Sequence, residues 1–304
     1  MYTNLAMGGG AHLTLPFLGF LRAAAPLLGS VRCVSGCSGG ALVAMAWVLE
    51  VPADTVIRLL HRHLGAGVVS ADLPMLLSRL GMTDVEATLG EMCVEIMSAG
   101  IASWYTAKKG FAPDPGAPDG RTITMLQLYK LTGRSLRVGV CDVSRGFREA
   151  YLTAESHPDL PVWRALCASC AVPIVFTPVR VGGSLLCDPC AGDCCPVRGL
   201  SEAGVPGAVD TLLLEVADGP LALPEGDGEP RDVLDYARRL LALVAERALR
   251  RDVPGRARLA AVPRWTERLC GPLLRGLTAD DLAECYEHGI RHGKDFLALV
   301  NKGS

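Results

Sequence analysis

A chain of 304 residues, half hydrophobic and one-fifth charged, can bury a sizeable core as one large α/β domain or as one domain with a helical extension. Aromatics make up only 5%, so Leu, Val and Ala must supply most of the packing. A net charge of -2 lacks the basic excess of a nucleic-acid binder, and no nucleic-acid partner is expected.

The Arg-rich stretch from Arg238 to Arg251, diluted by Glu246, reads as the solvated face of a helix. No basic region precedes an apolar stretch at the N-terminus, so no signal peptide is expected. The best apolar run, Ala41 to Leu49, is too short to span a bilayer. Twelve scattered cysteines in a chain of this size read as reduced thiols. The expectation is a cytoplasmic or host-intracellular protein, with peripheral membrane contact left open.

In chain order, Tyr2 to Met7 reads as a short strand, followed at once by Gly8-Gly9-Gly10. Pro16 to Leu28 reads as a core-facing helix and Ser30 to Ser35 as the next strand. That strand runs into Gly36-Cys37-Ser38-Gly39-Gly40, then into an apolar helix over Ala41 to Glu50. Pro52 breaks it, and Thr55 to His63 forms another helix. Residues 70–108 look helical and amphipathic, and Phe111 to Gly120 is a loop with three prolines.

Thr124 to Tyr129 predicts a helical turn, Arg134 to Asp142 and Arg148 to Thr153 predict strands, and Val162 to Cys170 predicts a helix. Val175 to Arg180 and Ser184 to Cys187 read as strands joined by a Gly182-Gly183 turn. Leu212 to Val216 is a last apolar strand, and Asp218 to Pro230 a Gly/Pro/Glu-rich loop. Two long helices close the chain near 231–252 and 279–300, the second capped by Thr278 with Asp281. Strands alternating with helices argue for a mostly parallel sheet covered on both faces.

The strongest chemical signal is Gly36-Cys37-Ser38-Gly39-Gly40, a G-x-S-x-G nucleophile elbow with a strand before it and a helix after it. Ser38 must sit on a strained turn, where bulky neighbours would clash, so Gly36 and Gly40 flank it. The helix that follows aims unpaired N–H groups at a developing oxyanion. Gly8, Gly9 and Gly10 can expose backbone N–H groups in one concavity. They are not a phosphate loop, because no G-K-[ST] follows, and they lack dinucleotide spacing. The glycine triplet alone reads better as a tight turn, and the elbow pattern alone reads only modestly better as a nucleophile site than as a turn joining strand to helix. Together they place a nucleophile and donors at the ends of two N-terminal strands. A serine needs a base. His288 and His292 stand at i and i+4 on the final helix and read as surface residues, and Asp142 reads as a structural turn residue.

These residues resemble the patatin-like phospholipase family, which has a glycine-rich oxyanion loop, then G-x-S-x-G, then D-G-[GA], and a Ser–Asp dyad without histidine. Gly8-Gly9-Gly10, Leu18-Gly19-Phe20-Leu21 and the elbow at Ser38 follow that order. Leu126 to Gly133 looks like the stretch before the family's central strand. Ala165-Leu166-Cys167-Ala168-Ser169 through Pro173, Phe176 and Pro178 resembles its A-x-x-A-S-x-x-x-P-x-x-F-x-P segment. Gly183 to Asp188 falls where the family has its catalytic aspartate, and Pro196-Val197 matches its closing proline. The likeness covers about residues 4–200.

The resemblance implies a three-layer α/β/α fold with C-terminal helices, as a single domain over 1–304. Its catalytic core would cover about 1–218 and its helical extension about 231–304. It implies lipid or phospholipid ester hydrolysis through an acyl-enzyme on Ser38, with Asp188 as base and Gly8, Gly9, Gly10 and Gly39 as the oxyanion hole.

The chain departs from the family in two places. His12 and Leu13 stand where it has Arg or Lys and then Gly, and D-G-G is Asp188-Pro189-Cys190 here. Proline removes an N–H, so the turn around the aspartate must differ, and a catalytically weak or inactive relative that binds lipid or serves as an interaction protein stays open as a second reading. Asp193 is a nearby fallback base. Cys187, Cys190, Cys194 and Cys195 could satisfy zinc in number but are poorly spaced. No metal or other cofactor is expected.

Overall fold

The computed structural model describes residues 1–67, 72–110, 113, 116–191, 196–201, 210–216, 258–262 and 276–302. The expected loop at 218–230, the helix at 231–252 and its Arg-rich face lie outside these residues.

The chain enters through β1 (Asn4–Met7), a 3-10 turn over Ala11–Thr14 and α1 (Pro16–Ala23). The expected helix to Leu28 stops early, and a 3-10 turn covers Ala25–Leu27. Pro26 lies in that turn and cannot donate to an α-helical ladder. Next come β2 (Cys33–Cys37), α2 (Gly39–Val48) and α3 (Ala53–Leu64). The expected helical stretch over 70–108 is α4 (Leu73–Arg79), a short β3 (Gly81–Thr83) and α5 (Val85–Lys109). Asp84 starts α5 by accepting from the Ala87 N–H, and Gly110 ends it at φ 79°.

Then follow α6 (Met125–Thr132), β4 (Ser135–Asp142), β5 (Arg148–Leu152) and α7 (Val162–Ser169). The single strand expected over 175–180 is split into β6 (Ile174–Phe176) and β7 (Val179–Val181) at Thr177-Pro178. The remaining elements are β8 (Ser184–Cys187), α8 (Pro196–Ser201), β9 (Thr211–Val216), β10 (Arg258–Val262) and α9 (Ala279–Lys302). Thr278 and Asp281 cap α9 reciprocally, as expected: each backbone N–H donates to the other side chain at 3.1 Å.

The main sheet runs β10-β9-β1-β2-β4-β8-β7, with β5 also on β4. β10 through β4 are parallel, while β5, β7 and β8 pair antiparallel. Alternation along the inner strands sorts two faces. Leu5, Met7, Val34, Leu212 and Leu214 join the large core beneath α2, α5 and α7. Ala6, Cys33 and Leu213 pack on the other face with Val197 and Leu200 of α8. The result is the expected three-layer α/β/α arrangement. α2 is apolar all round, and only Leu42 and Trp47 of its ten residues are not fully buried.

Candidate active site

β2 ends at Cys37, and α2 begins at Gly39. Ser38 between them has φ 52° and ψ -130°, a conformation that L-residues rarely adopt. The flanking glycines make it fit. A Cβ on Gly36 would stand 2.7 Å from the Ala41 Cα. On Gly39 it would meet Thr14 Oγ1 at 2.7 Å and collide with the Ala11 carbonyl. On Gly40 it would meet the Met7 carbonyl at 2.5 Å and collide with that of Gly8. These close approaches press the glycine loop after β1 against the start of α2.

The base candidate arrives along β4. β2 and β5 both pair with Val138 and Gly139, so they lie on opposite edges of β4. β5 also pairs with Cys141 and Asp142, which leaves β8 on the β2 edge. β2 therefore runs up to Cys37 opposite Gly139, and β8 comes down to Cys187 opposite Cys141. The next residue of each strand, Ser38 and Asp188, converges on the level of Val140.

Asp188 is 1% exposed, and burial raises its pKa above the ordinary carboxylate range. The Ser38 hydroxyl and Cys190 pull the other way. The Cys190 N–H donates to Asp188 Oδ1 at 2.9 Å, while Oδ2 completes no hydrogen bond among the described residues. Pro189 sits in a 3-10 turn over Pro189–Ala191. The N–H that proline removes is thus not needed, because the next one on holds the carboxylate.

Ser169, in the sequence only one residue of the A-x-x-A-S segment, fixes the elbow through its hydroxyl. Its hydroxyl accepts from the Ser38 N–H at 2.8 Å and donates to the Gly139 carbonyl at 2.6 Å, fully buried. The family-like spacing to Pro173 pointed to the segment, yet nothing in the sequence pointed to this contact. Gly8 differs from its expected role. Its N–H donates to the Leu214 carbonyl at 2.8 Å and continues the sheet. The N–H groups of Gly9 and Gly10 make no backbone hydrogen bond among the described residues, and Gly39 opens α2, where N–H groups have no helical partner.

A cavity of about 100 Å³ opens beside Ser38, lined by His12 and Gly39 at one side and by apolar side chains of α2, α3 and α5 elsewhere. Asp142 is structural, as expected: its carboxylate accepts from the Ser144 N–H and the Ser184 hydroxyl. The two histidines of α9 are half-buried rather than surface residues, and His292 meets Phe20 with ring centroids 6.0 Å apart and planes tilted by 43°. Asp193, Cys194 and Cys195 lie outside the described residues, so the fallback base and the four-thiol arrangement stay as expectations.

Ser38 thus stands at positive φ between a parallel strand and a buried helix, with its hydroxyl acting on the buried Asp188. A sequence model of the patatin-like phospholipase family matches residues 5–200, and the chain belongs to that family. It is 28% identical over 177 residues to the triacylglycerol lipase ptl2 of Schizosaccharomyces pombe, across 58% of this chain and 25% of the lipase. The chain thus matches only a quarter of that relative.

Among solved structures, VipD from Legionella pneumophila has a TM-score of 0.51 at 15% identity, covering 94% of this chain and 67% of that one. The ExoU–SpcU complex of Pseudomonas aeruginosa has a TM-score of 0.51 at 18% identity, covering 98% of this chain and 51% of the matched chain. At such identities these two structures speak for the fold. No helix among the described residues is long and apolar enough to cross a membrane.

Proposed function

We propose that the chain hydrolyses carboxylic esters of lipids, of phospholipase A or lysophospholipase type, through an acyl-enzyme on Ser38 with Asp188 as base. The observation that carries this is the convergence of the strained Ser38 and the buried Asp188 beside an apolar cavity. Asp188 takes the Ser38 proton as Oγ attacks the ester carbonyl. The N–H groups of Gly9, Gly10 and Gly39 hold the oxyanion, and Gly8, tied to the Leu214 carbonyl, supports their loop. Collapse expels the alcohol with the proton from Asp188. Water then attacks the acyl-enzyme with Asp188 as base, and collapse releases the carboxylic acid as Asp188 returns the proton to Ser38 Oγ. The catalytic unit is proposed as a single domain in which α9 packs onto the core.

A fluorophosphonate probe tests the nucleophile. Wild type is expected to be labelled and to turn over a p-nitrophenyl ester, and Ser38→Ala to do neither. Labelling that survives in the alanine variant would move the nucleophile elsewhere.

Ser169 acts as a positioning residue. Ser169→Ala would leave the Ser38 N–H and the Gly139 carbonyl unsatisfied, at about 1–3 kcal/mol. The expected result is a kcat about tenfold lower or more with KM little changed, partly rescued by Ser169→Thr. A rise in KM at constant kcat would count against the positioning role.

A further inference from the structure

We propose that the cavity beside Ser38 is a blind acyl channel about two helical turns deep, with Ala46 and Ile96 at its end, suited to chains of about eight to ten carbons. The inference rests on the acyl-hydrolase reading and assigns that substrate's chain length.

Three helices define the channel. α2 and α5 leave the site side by side. Near Ser38, the Cys93 thiol of α5 contacts Cys167 of α7, the helix whose last residue holds the Ser38 N–H. At the other end α2 and α5 converge: a Cβ on Gly100 would stand 2.7 Å from Val51 Cγ2 and 3.0 Å from Leu49 Cβ. Glycine at 100 permits that contact, and the contact closes the space between the helices. The lining agrees, because Leu42 and Ala46 face the cavity from α2, and Met92 and Ile96 from α5. Among the described residues, neither helix contributes beyond Ala46 or Ile96.

α3 returns after the short link that follows α2, as neighbouring antiparallel helices do. The Arg62–Glu95 ion pair at 2.9 Å ties it to α5. Val56, Leu60 and Leu64 line the cavity from α3.

Eight residues separate Ser38 from Ala46, which at 1.5 Å per helical residue is about 12 Å. An extended chain advances roughly 1.2 Å per bond, from the ~3.5 Å that an extended residue spans over three bonds. The channel therefore holds about ten bonds. Each methylene left without room forfeits about 0.8 kcal/mol of burial, so two cost about tenfold.

The test is kcat/KM for butyryl, octanoyl, decanoyl and palmitoyl p-nitrophenyl esters. The wild type is expected to peak at octanoyl or decanoyl and to fall about tenfold or more at palmitoyl. Ile96→Ala should move the optimum to longer chains and Ala46→Leu toward butyryl. A profile that rises to palmitoyl, or an optimum unmoved by both variants, overturns the channel length and leaves the hydrolase reading standing.

Absence of turnover on every ester overturns the hydrolase reading instead. The channel is then read by the thermal stabilisation of Ser38→Ala with free fatty acids of the same lengths. A maximum at octanoate or decanoate supports it, and a maximum at palmitate, or no dependence on length, overturns it.

Discussion

Asp188→Asn is expected to lower kcat/KM by about 10²–10⁴-fold and at the same time to raise the melting temperature at neutral pH. The two effects share one cause. Asp188 is fully enclosed, and burial raises its pKa against the smaller opposing pull of the Ser38 hydroxyl and Cys190. In the folded chain the carboxyl therefore holds its proton to a higher pH than in the unfolded chain.

Its contribution to stability is fully present below the unfolded pKa and is lost as pH rises through the folded one. At neutral pH the ionised carboxylate is a cost that the fold carries. Asparagine keeps the Oδ1 acceptor for the Cys190 N–H without the charge, so it removes the cost and with it the base. Wild-type activity should rise with pH across the raised pKa, since only the carboxylate accepts the serine proton. The melting-temperature gap between variant and wild type should widen over the same interval. A variant that keeps wild-type turnover would remove Asp188 from the mechanism. A gap that does not change with pH would mean that burial does not set its titration.

Much of this site was legible because its constraints are local. A serine at positive φ between strand and helix requires small neighbours at fixed offsets, so Gly36, Gly39 and Gly40 mark the elbow in the sequence itself. Of the parallel strands, β9 was legible as a continuous apolar run, which is how a strand buried on both faces reads. The non-local features were not. Nothing in Ser184 to Cys187 says that this strand meets β2 end to end along β4, although that register brings Asp188 to Ser38. Ser169 reads as one small residue in a helix, and its two hydrogen bonds reach residues 131 and 30 positions away.

β3 was missed because three residues, Gly81 to Thr83, are too few to show a period between two helices, and only pairing with β6 makes them a strand. The split of the next strand lay in plain view at Pro178, which cannot donate to a ladder. β10 was hidden because its place beside β9 depends on a partner 46 residues earlier in the chain. Gly8 shows the opposite error. A run of three glycines looks uniform, yet the first still belongs to the sheet.

Gly289→Val is expected to destabilise the chain by about 3 kcal/mol or more, the upper end of what overpacking costs, because here the collision is with backbone. α9 docks on α1 by close backbone approach on both sides. A Cβ on Gly289 would collide with the Pro16 carbonyl, and one on Gly19 with the Tyr286 carbonyl. On Gly293 it would come within 2.8 Å of the Phe20 carbonyl. No rotamer change relieves a clash with a carbonyl, so the helices must separate.

Separation would also undo the Phe20–Phe296 ring contact at 5.4 Å. It would reach the cavity beside Ser38 as well, because Leu277, just ahead of the α9 cap, lines that cavity and its N–H donates to the Leu64 carbonyl at 3.3 Å. The variant should therefore lose ester turnover together with stability, although it lies far along the chain from Ser38. Lys294→Ala, on the exposed side of the same helix, should change stability by less than about 0.5 kcal/mol. Urea melts of the three proteins measure both effects. If Gly289→Val melts with the wild type, α9 is an appendage. If it unfolds early in a single transition, the C-terminal helix is part of the catalytic domain's core.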